Sequence, residues 1–434
     1  MPKTINLKPF LGTLTGPWLD PKAWRAGRLH RNLRQGLTLV VGALLSTLLA
    51  GCADVGYYLQ SARGHWGVMQ AARPVGDWLA ESQATPALKR QLELAQRIRR
   101  FAVTELALPD NPSYTRYADL HRTAVVWNVV AAPELSLTLQ TWCFPVAGCV
   151  GYRGYFDERQ AREFAAGQQA TGLEAGVYGV PAYSTLGWMN WAGGDPLLNT
   201  FINYPEAEMA RLIFHELAHQ VAYAKDDTTF NESFATAVER LGGDLWLAQP
   251  ASAGARRQHE ANSERRAQFR ALTQATRQNL AKIYGANDPN DPNDPNDPSS
   301  HKKTEKLALK KVAMEEFRAS YARLRSAWVA GSAVPQNFSG YDAWVARANN
   351  ASFGAQASYD DLAPQFEALY RQTAEQTARQ SASQGQPPWP AFYDAVKRLA
   401  LLPREERRRL LAEQAGPAAS PLHHTPAHQT SANR

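Results

Sequence analysis

The chain lacks the charge and the apolar length that would mark a nucleic-acid-binding or membrane-spanning protein. Its net charge of +7 is concentrated in residues 1–51, which hold seven basic residues and one acidic residue. Removing them from totals of 47 basic and 40 acidic residues leaves 40 and 39. This balance gives no basis for nucleic acid as a partner. The apolar run 37–50 is also shorter than the about 20 residues that span a bilayer.

Residues 1–51 instead have the parts of a secretory signal peptide. A cluster of arginines precedes the apolar run, and Leu49-Ala50-Gly51-Cys52 resembles the bacterial lipobox, in which the cysteine becomes lipidated after cleavage. We therefore expect a lipoprotein anchored to a membrane through Cys52 and facing the periplasm. Ala53 stands where an Asp would signal inner-membrane retention, which favours the outer membrane. The alternative is a buried or membrane-spanning helix with an incidental cysteine.

Cysteine is scarce, with three in the whole chain. Cys143 and Cys149 are separated by five residues that include Pro145 and Gly148, a spacing that can close a small disulfide loop in an oxidising compartment. Two free thiols in the core are the alternative. Metal binding by this pair is disfavoured because no histidine lies nearby.

The pattern of apolar residues predicts an α+β chain in which one peptidase domain covers residues 52–414. Helical spacing dominates residues 55–107, and short β-branched and aromatic runs between 124 and 155 predict a small sheet. A further strand is predicted over 177–188, where Pro181 favours a sheet edge. The pattern predicts a helix over residues 205–224 and another from about residue 229 to 242.

The part that follows is predicted to be mainly helical. Residues 254–329 contain two long charged helical stretches, which we interpret as a hairpin, with four Asn-Asp-Pro copies at 287–298 as a disordered linker. Calcium binding by these aspartates is disfavoured, because neither the turn glycine nor the closing glutamate of an EF-hand is present. The composition of residues 415–434 predicts a disordered tail.

The strongest chemical motif lies in the helix 205–224. His215 and His219 are four residues apart, so both imidazoles project from one helix face and can bind a single Zn²⁺. Glu216 lies about 100° around the helix, where a carboxylate can act as the general base toward a water molecule activated by the metal. The alternative is two surface histidines and a glutamate on a structural helix.

The third ligand must come from outside this motif. The other eight histidines lie in the signal, near the mature N-terminus, in loops, in the charged hairpin or in the tail, so a carboxylate is favoured. Glu232 follows His219 after twelve residues, enough for a turn and an antiparallel return of the chain. Glu239, seven residues further on the same face, is the competitor as ligand; it could equally hold a ligating imidazole or lie in solvent.

The stretches HELAHQ and NESFA resemble the gluzincin metallopeptidases, whose third ligand is the Glu of an Asn-Glu motif; this maps onto Glu232. The chain also resembles a family of Gram-negative lipoproteins described as predicted aminopeptidases. The matching stretches are GYYLQSARG (56–64), ALPDNPSYTRY (107–117), TWCFPVAGCVGYRGYF (141–156), AYSTLGW (182–188), the zinc segment and NNASF (349–353).

The resemblance implies a zincin-like fold, with a small mixed sheet over the metal-binding helix and a mainly helical C-terminal part. It also implies an edge strand that pairs with the substrate backbone, which we place at Tyr183, Ser184 and Thr185. A tyrosine should stabilise the oxyanion, with Tyr359 and Tyr183 as candidates and Tyr341 behind them.

The expected function is peptide hydrolysis by a membrane-anchored lipoprotein that binds one zinc ion, with aminopeptidase favoured by resemblance. A zinc endopeptidase of the cell envelope and a non-catalytic envelope lipoprotein with a structural zinc site are the alternatives. An aminopeptidase also needs an acidic group for the α-amine of its substrate, and the available residues are Glu174, Glu206 and Glu208.

Overall fold

The computed structural model describes residues 55–144, 148–285, 300–331, 337–380 and 387–415. Residues 1–60 and 61–434 form two units, and the described part of the first unit, residues 55–60, is helical. Within the described ranges, no helix combines the length and apolar character needed to cross a membrane.

Several predictions fall outside the described residues and stay predictions. They are the signal peptide 1–51, the lipidation site Cys52, the linker 287–298 and the tail beyond residue 415.

The described chain is mainly helical, with short strands confined to its first half. The helices are α1 (residues 55–71), α2 (Val75–Ala80), α3 (Pro86–Thr104), α4 (Glu158–Ala170), α5 (Glu206–Ala218), α6 (Thr228–Ala248), α7 (Ala253–Tyr284), α8 (Ser300–Ala330), α9 (Ser339–Arg347), α10 (Asn350–Asp360), α11 (Ala363–Gln380), α12 (Trp389–Ala400) and α13 (Arg404–Ala415). The strands are β1 (Arg73–Pro74), β2 (Arg116–Ala118), β3 (Val126–Pro133), β4 (Trp142–Phe144), β5 (Gly148–Val150), β6 (Arg153–Tyr155), β7 (Leu173–Val180) and β8 (Leu197–Leu198).

The sheet that matters for the site has the order β6-β3-β7 and is antiparallel. Its central strand β3 pairs with β7 over its whole length, from Val126 opposite Val180 to Pro133 opposite Leu173. Seven of the eight β3 residues are buried, as expected for an apolar run covered on both faces. Strand β7 is left at the edge of this sheet. The other described sheets are β1-β2-β8 and the hairpin β4-β5.

Helices α5 and α6 form an antiparallel pair at the centre of the molecule. Three contacts show the direction: Glu206 accepts from Trp246, Glu239 from Arg211, and Glu232 lies against His215. As the residue number increases along α5, the number of the contacting residue on α6 decreases, so the two helices are antiparallel. The apolar flanks of the predicted zinc helix are the reason for its burial, since Ile213, Phe214 and Leu217 are fully enclosed.

The described residues form two large apolar cores, and the α5-α6 pair belongs to the larger one. The larger joins α3, α5, α6, α11 and α12, and the aromatic rings of Phe101, Phe214, Phe234, Phe366 and Trp389 fill much of it. The second core lies between α7, α8, α9 and α10 and contains Phe269, Phe317, Trp344 and Phe353. Helices α7 and α8 are the two charged stretches of the predicted hairpin, and they pack against each other.

A polar network fixes the start of α10 between the two cores. The ammonium of Lys310 on α8 pairs with the Glu174 carboxylate on β7, which also accepts from the backbone N–H of Asn350 at 2.8 Å. The buried Asn350 side chain donates to the carbonyls of Pro133 and Glu134 at 3.0 and 2.8 Å. The network therefore sets where α10 begins relative to the β3-β7 sheet.

A second buried charge cluster fixes the start of α6. Asp227 is the N-cap of α6, and its side chain accepts a hydrogen bond from the N–H of Phe230. Its fully buried carboxylate also forms ion pairs with two residues of α13, Arg407 at 2.8 Å and Arg408 at 3.2 Å. Arg407 also donates to backbone carbonyls at the end of α12, including that of Leu402. The C-terminal helices thereby hold the beginning of α6.

We predict that Arg407→Met lowers the free energy of unfolding by about 3 kcal/mol, because it removes the principal partner of a buried carboxylate. The measurement is a urea denaturation curve followed by circular dichroism. The matched control is Arg404→Met, since that side chain is 58% exposed and its Nε lies 3.9 Å from Asp227. The control should change stability by less than about 1 kcal/mol. Equal losses in both variants would contradict the assignment.

Candidate metal centre

Three predicted ligands meet in the interior of the molecule. Nitrogen atoms of His215 and His219 and a carboxylate oxygen of Glu232 all lie within 4.8 Å of one another, and all three residues are buried. The Glu232 Oε2 atom is 3.3 Å from His215 Nε2 and 3.7 Å from His219 Nε2. This group could hold a metal ion.

The turn between α5 and α6 explains how Glu232 reaches the histidines. Asn231 accepts from the N–H of Ala224 at 2.7 Å and donates to the carbonyl of the same residue at 2.8 Å. The Asn231 side chain thus bonds both backbone groups of Ala224, and these two bonds hold the first turn of α6 against the segment that follows α5. The Asn of the Asn-Glu pair thus has a structural role that sequence reasoning did not assign.

Glu239 lies on the far side of His215 rather than in the ligand group. Its Oε2 atom is 3.1 Å from His215 Nδ1, and its Oε1 atom accepts two bonds from Arg211 at 2.8 and 3.0 Å. An acceptor at Nδ1 favours the proton on that nitrogen and turns Nε2 toward Glu232. Of the roles considered for Glu239, the geometry matches that of a residue that orients the His215 imidazole.

The donor set fits zinc. Two imidazoles and one carboxylate are a ligand set that catalytic zinc sites use, with a fourth position left for water or substrate. His219 Nδ1 is buried and has no hydrogen-bond partner in the described part of the chain. The Nε2 atoms of the two histidines, by contrast, face Glu232 Oε2 at 3.3 and 3.7 Å, so these are the nitrogens that would hold the ion.

Opposite charges within this buried group shift the pKa values of its members. Burial raises the pKa of Glu232, but His219 and His215 outweigh this effect and lower that pKa to about 2. Burial lowers the pKa of His215, while Glu232 and Glu239 outweigh it and raise that pKa well above the ordinary value.

Glu216 is placed beside the ligands without belonging to them. It is buried on α5, and burial raises its pKa, with the positive influence of His215 and His219 acting in the opposite direction. The neighbouring charges of Glu232 and Asp195 raise that pKa further. A carboxylate with a raised pKa is a better proton acceptor, which suits the predicted general base.

Tyr359 is the predicted oxyanion tyrosine that the structure brings to the centre. Its ring stacks on that of His215, with centroids 6.2 Å apart, and Glu232 raises the pKa of its hydroxyl well above the ordinary value, with burial adding to the effect. The other two candidates make different contacts. Tyr341 packs in the second core against Phe269, and the hydroxyl of Tyr183 is 2.5 Å from His65 Nδ1.

A serine next to the metal ligand positions Tyr359. The hydroxyl of the fully buried Ser233 donates to the carbonyl of Ser358 at 3.1 Å and accepts from the N–H of Leu362 at 3.2 Å. These bonds join α6 to the end of α10 and the start of α11, where Tyr359 sits.

Three further tyrosines near Glu232 were missed by sequence reasoning. Burial, and then the charge of Glu232, raise the pKa of Tyr152 well above its ordinary value and that of Tyr223 to about 12. Burial and Glu232 also raise the pKa of Tyr178 to about 12, although its hydrogen bond with Asn128 acts in the opposite direction. Tyr223 stands four residues after His219, a spacing that could have suggested it. Tyr152 and Tyr178 lie in the sheet region, and no spacing in the sequence relates them to the histidines.

The predicted substrate-pairing segment Tyr183–Thr185 is not a strand. β7 ends at Val180, so the strand prediction is wrong for residues 181–188. Leu186 and Gly187 adopt positive φ angles of 55° and 77°, and the N–H of Thr185 donates to the Asp195 carboxylate at 3.1 Å. The hydroxyl of Ser184 accepts from the N–H of Leu186. These two bonds hold the segment as a turn, and β7 is an edge strand of the β6-β3-β7 sheet. Binding of substrate by Tyr183, Ser184 and Thr185 stays a prediction.

Gln220, directly after His219, anchors the end of α5. It donates to Ser113 and Asp195, each at 3.2 Å, and accepts from Asn111 at 2.8 Å. These contacts connect the metal-binding helix with two loops, one in the stretch 107–117 and one in the segment before β8. The position of His219 therefore depends on residues far away in the sequence.

The cysteine hairpin contacts the connection between α5 and α6. Cys143 and Cys149 face each other across β4 and β5 and are joined by a disulfide. The N–H of Cys149 donates to Asp226 Oδ1 at 2.6 Å, one residue before the N-cap of α6. The hairpin thus lies against the turn that brings Glu232 to the histidines.

The chain belongs to a family of aminopeptidase-like proteins. The family model described as "Putative aminopeptidase" matches residues 56–411, which is most of the chain and includes every residue of the centre. Searches of curated proteins and of solved structures return no match. Membership supports a peptidase-type hydrolase, and the family's match includes the group that could hold a metal.

We predict that the chain binds one zinc ion per molecule and that His219→Ala or Glu232→Gln abolishes stoichiometric binding. Glu239→Gln should keep the ion but weaken its affinity by about 10–100-fold, because the orientation of His215 is lost. Zinc content after dialysis and competition with a chelating dye measure both effects. His121→Ala is the control, since that side chain is 87% exposed. Unchanged affinity in Glu239→Gln would contradict the orienting role.

Proposed function

We propose that this protein is a zinc-dependent peptidase and that its specific activity is that of an aminopeptidase. The observation that carries the proposal is the meeting of His215, His219 and Glu232 at one point, with Glu216 and Tyr359 beside it. The family description supports the peptidase class. The raised pKa of Glu216 supports a role as general base.

Each residue of the centre would have a separate role in hydrolysis. His215, His219 and Glu232 would hold zinc, which when bound supplies Lewis acidity that polarises a peptide carbonyl and acidifies water. Glu216 accepts the proton of the attacking water and delivers it to the leaving amine. Tyr359 donates its hydroxyl proton in a hydrogen bond to the oxygen on which negative charge develops. Its raised pKa keeps that proton in place at neutral pH.

The zincin-like fold is part of the same proposal. The β6-β3-β7 sheet contributes the edge strand β7, which carries Tyr178 near Glu232 and ends 35 residues before His215. A peptide added to this edge would be held by backbone hydrogen bonds with its carbonyl toward the centre.

An endopeptidase is the second candidate, and a specific observation favours it. The three acidic residues considered for binding a substrate amine are all engaged: Glu174 by Lys310, Glu206 by Trp246 and Ser252, and Glu208 by Arg266. None of them therefore offers a vacant carboxylate for an α-ammonium group. A non-catalytic zinc lipoprotein is less well supported, because a structural site has no use for Glu216 as a base.

We predict that Glu216→Gln retains zinc and loses hydrolysis by a factor of at least about 10², because the general base is removed while the ligands stay. The measurement is cleavage of a peptide library carrying free or blocked N-termini. Glu93→Gln, an exposed change on α3, is the control and should keep full activity. Cleavage restricted to free N-termini would establish the aminopeptidase. Equal activity of Glu216→Gln and the parent protein would refute the mechanism.

The location in the envelope is also proposed, from the lipobox resemblance at Cys52. We predict that Cys52→Ser moves the protein from the membrane fraction to the soluble fraction of the periplasm, because the acylation site is removed. Incorporation of labelled palmitate into the parent protein, together with fractionation, measures this. Cys143→Ser with Cys149→Ser is the control and should keep the label. Labelling of Cys52→Ser would contradict the anchor.

A further inference from the structure

A cavity of about 720 Å³ lies beside the candidate metal centre. Its walls come from β7, α4, the end of α9 and one face of α10. This volume is in the range of sites that bind small molecules or short peptides, roughly 300–1,000 Å³. The cavity is separate from the ligand residues, none of which lines it.

Two tyrosines form the boundary between the cavity and the centre. Tyr178 and Tyr359 both line the cavity, and both are influenced by the charge of Glu232. The Tyr359 ring also stacks on His215. The cavity therefore adjoins the candidate metal centre through the Tyr359 ring.

The charges on the cavity wall have one sign. Arg162 and Arg347 line it, and no aspartate or glutamate is among its described lining residues. Arg162 pairs with Glu158 one turn earlier on α4, whereas the bond made by Arg347 within the described chain is from Nε to the carbonyl of Ala343 at 3.1 Å. The terminal nitrogens of Arg347 are thus available for a ligand.

The neutral polar groups of the wall are largely committed to the fold. Gln169 and Asn349 both donate to the carbonyl of Ala175, and Gln356 donates to Thr273. The remaining lining residues are mainly apolar. A charged group of a ligand in this cavity would therefore be bound by the guanidinium groups of Arg162 and Arg347, which can each donate two hydrogen bonds to a carboxylate.

We propose that the cavity binds a carboxylate group of the peptide substrate, through Arg347 with support from Arg162. This inference rests on the proposed peptidase function. The carboxylate can belong to an acidic side chain or to the C-terminus of a short peptide. The protein would then act preferentially on acidic or short peptides.

Binding is measured by calorimetry on the zinc-loaded full chain carrying Glu216→Gln, which prevents turnover. Matched peptides contain Glu or Gln at one position and end in a free or an amidated C-terminus. Arg347→Gln in this background should weaken binding of the carboxylate-bearing peptides about tenfold or more, and Arg162→Gln should do so less. Peptides without a carboxylate should bind equally to all variants. Arg159→Gln on α4, whose residue does not line the cavity, is the matched control and should change nothing.

The outcomes separate the cavity from the proposed function. Sensitivity to the Glu-to-Gln change assigns the carboxylate to a side chain, and sensitivity to amidation assigns it to the C-terminus; either supports the inference. Equal weakening of charged and neutral peptides, or no binding of any peptide, overturns it. Hydrolysis by the parent protein without any charge preference would overturn the cavity assignment and leave the peptidase standing. Arginine-dependent binding without hydrolysis would refute the peptidase and leave the cavity standing.

Discussion

A buried carboxylate held between two imidazoles is the constraint on which the centre of this protein depends. Glu232 lies 3.3 Å from His215 and 3.7 Å from His219, all shielded from water. A buried negative charge is tolerable only beside positive charge, which protonated histidine or a bound cation can supply. Everything that fixes the two helices relative to each other therefore also fixes the chemistry of the site.

Three consecutive residues on α6 carry three different parts of that arrangement. Asn231 closes the turn from α5, Glu232 faces the histidines, and Ser233 holds the segment that bears Tyr359. The supports extend outward from there. Asp227 ties the start of α6 to the C-terminal helices, and the network around Lys310 sets the start of α10. Residues with no chemical role thus decide where the reactive groups stand.

The groups gathered at the centre are compatible with the reaction class that the family description names. The aminopeptidase-like family indicates the class of reaction. In the proposed function, the candidate metal ligands, Glu216 with its raised pKa and the stacked Tyr359 would supply the groups that such a reaction needs. In the further proposal, the adjoining cavity would hold the substrate against positive charge and apolar surface.

The sequence by itself determined the features that depend on local spacing. The four-residue interval of His215 and His219 places both rings on one helix face, and the apolar flanks of that helix require its burial. Glu232 could be favoured over Glu239 from the length of the connection, although the distinct contact of Glu239 with His215 became visible only in three dimensions. Tertiary structure decided the contact of Tyr359 with His215, the place of Tyr152 and Tyr178, and the end of β7 at Val180. The physical reason is that these positions are set by contacts between residues far apart in the chain, such as Ser233 with Ser358 and Thr185 with Asp195, which no local periodicity encodes.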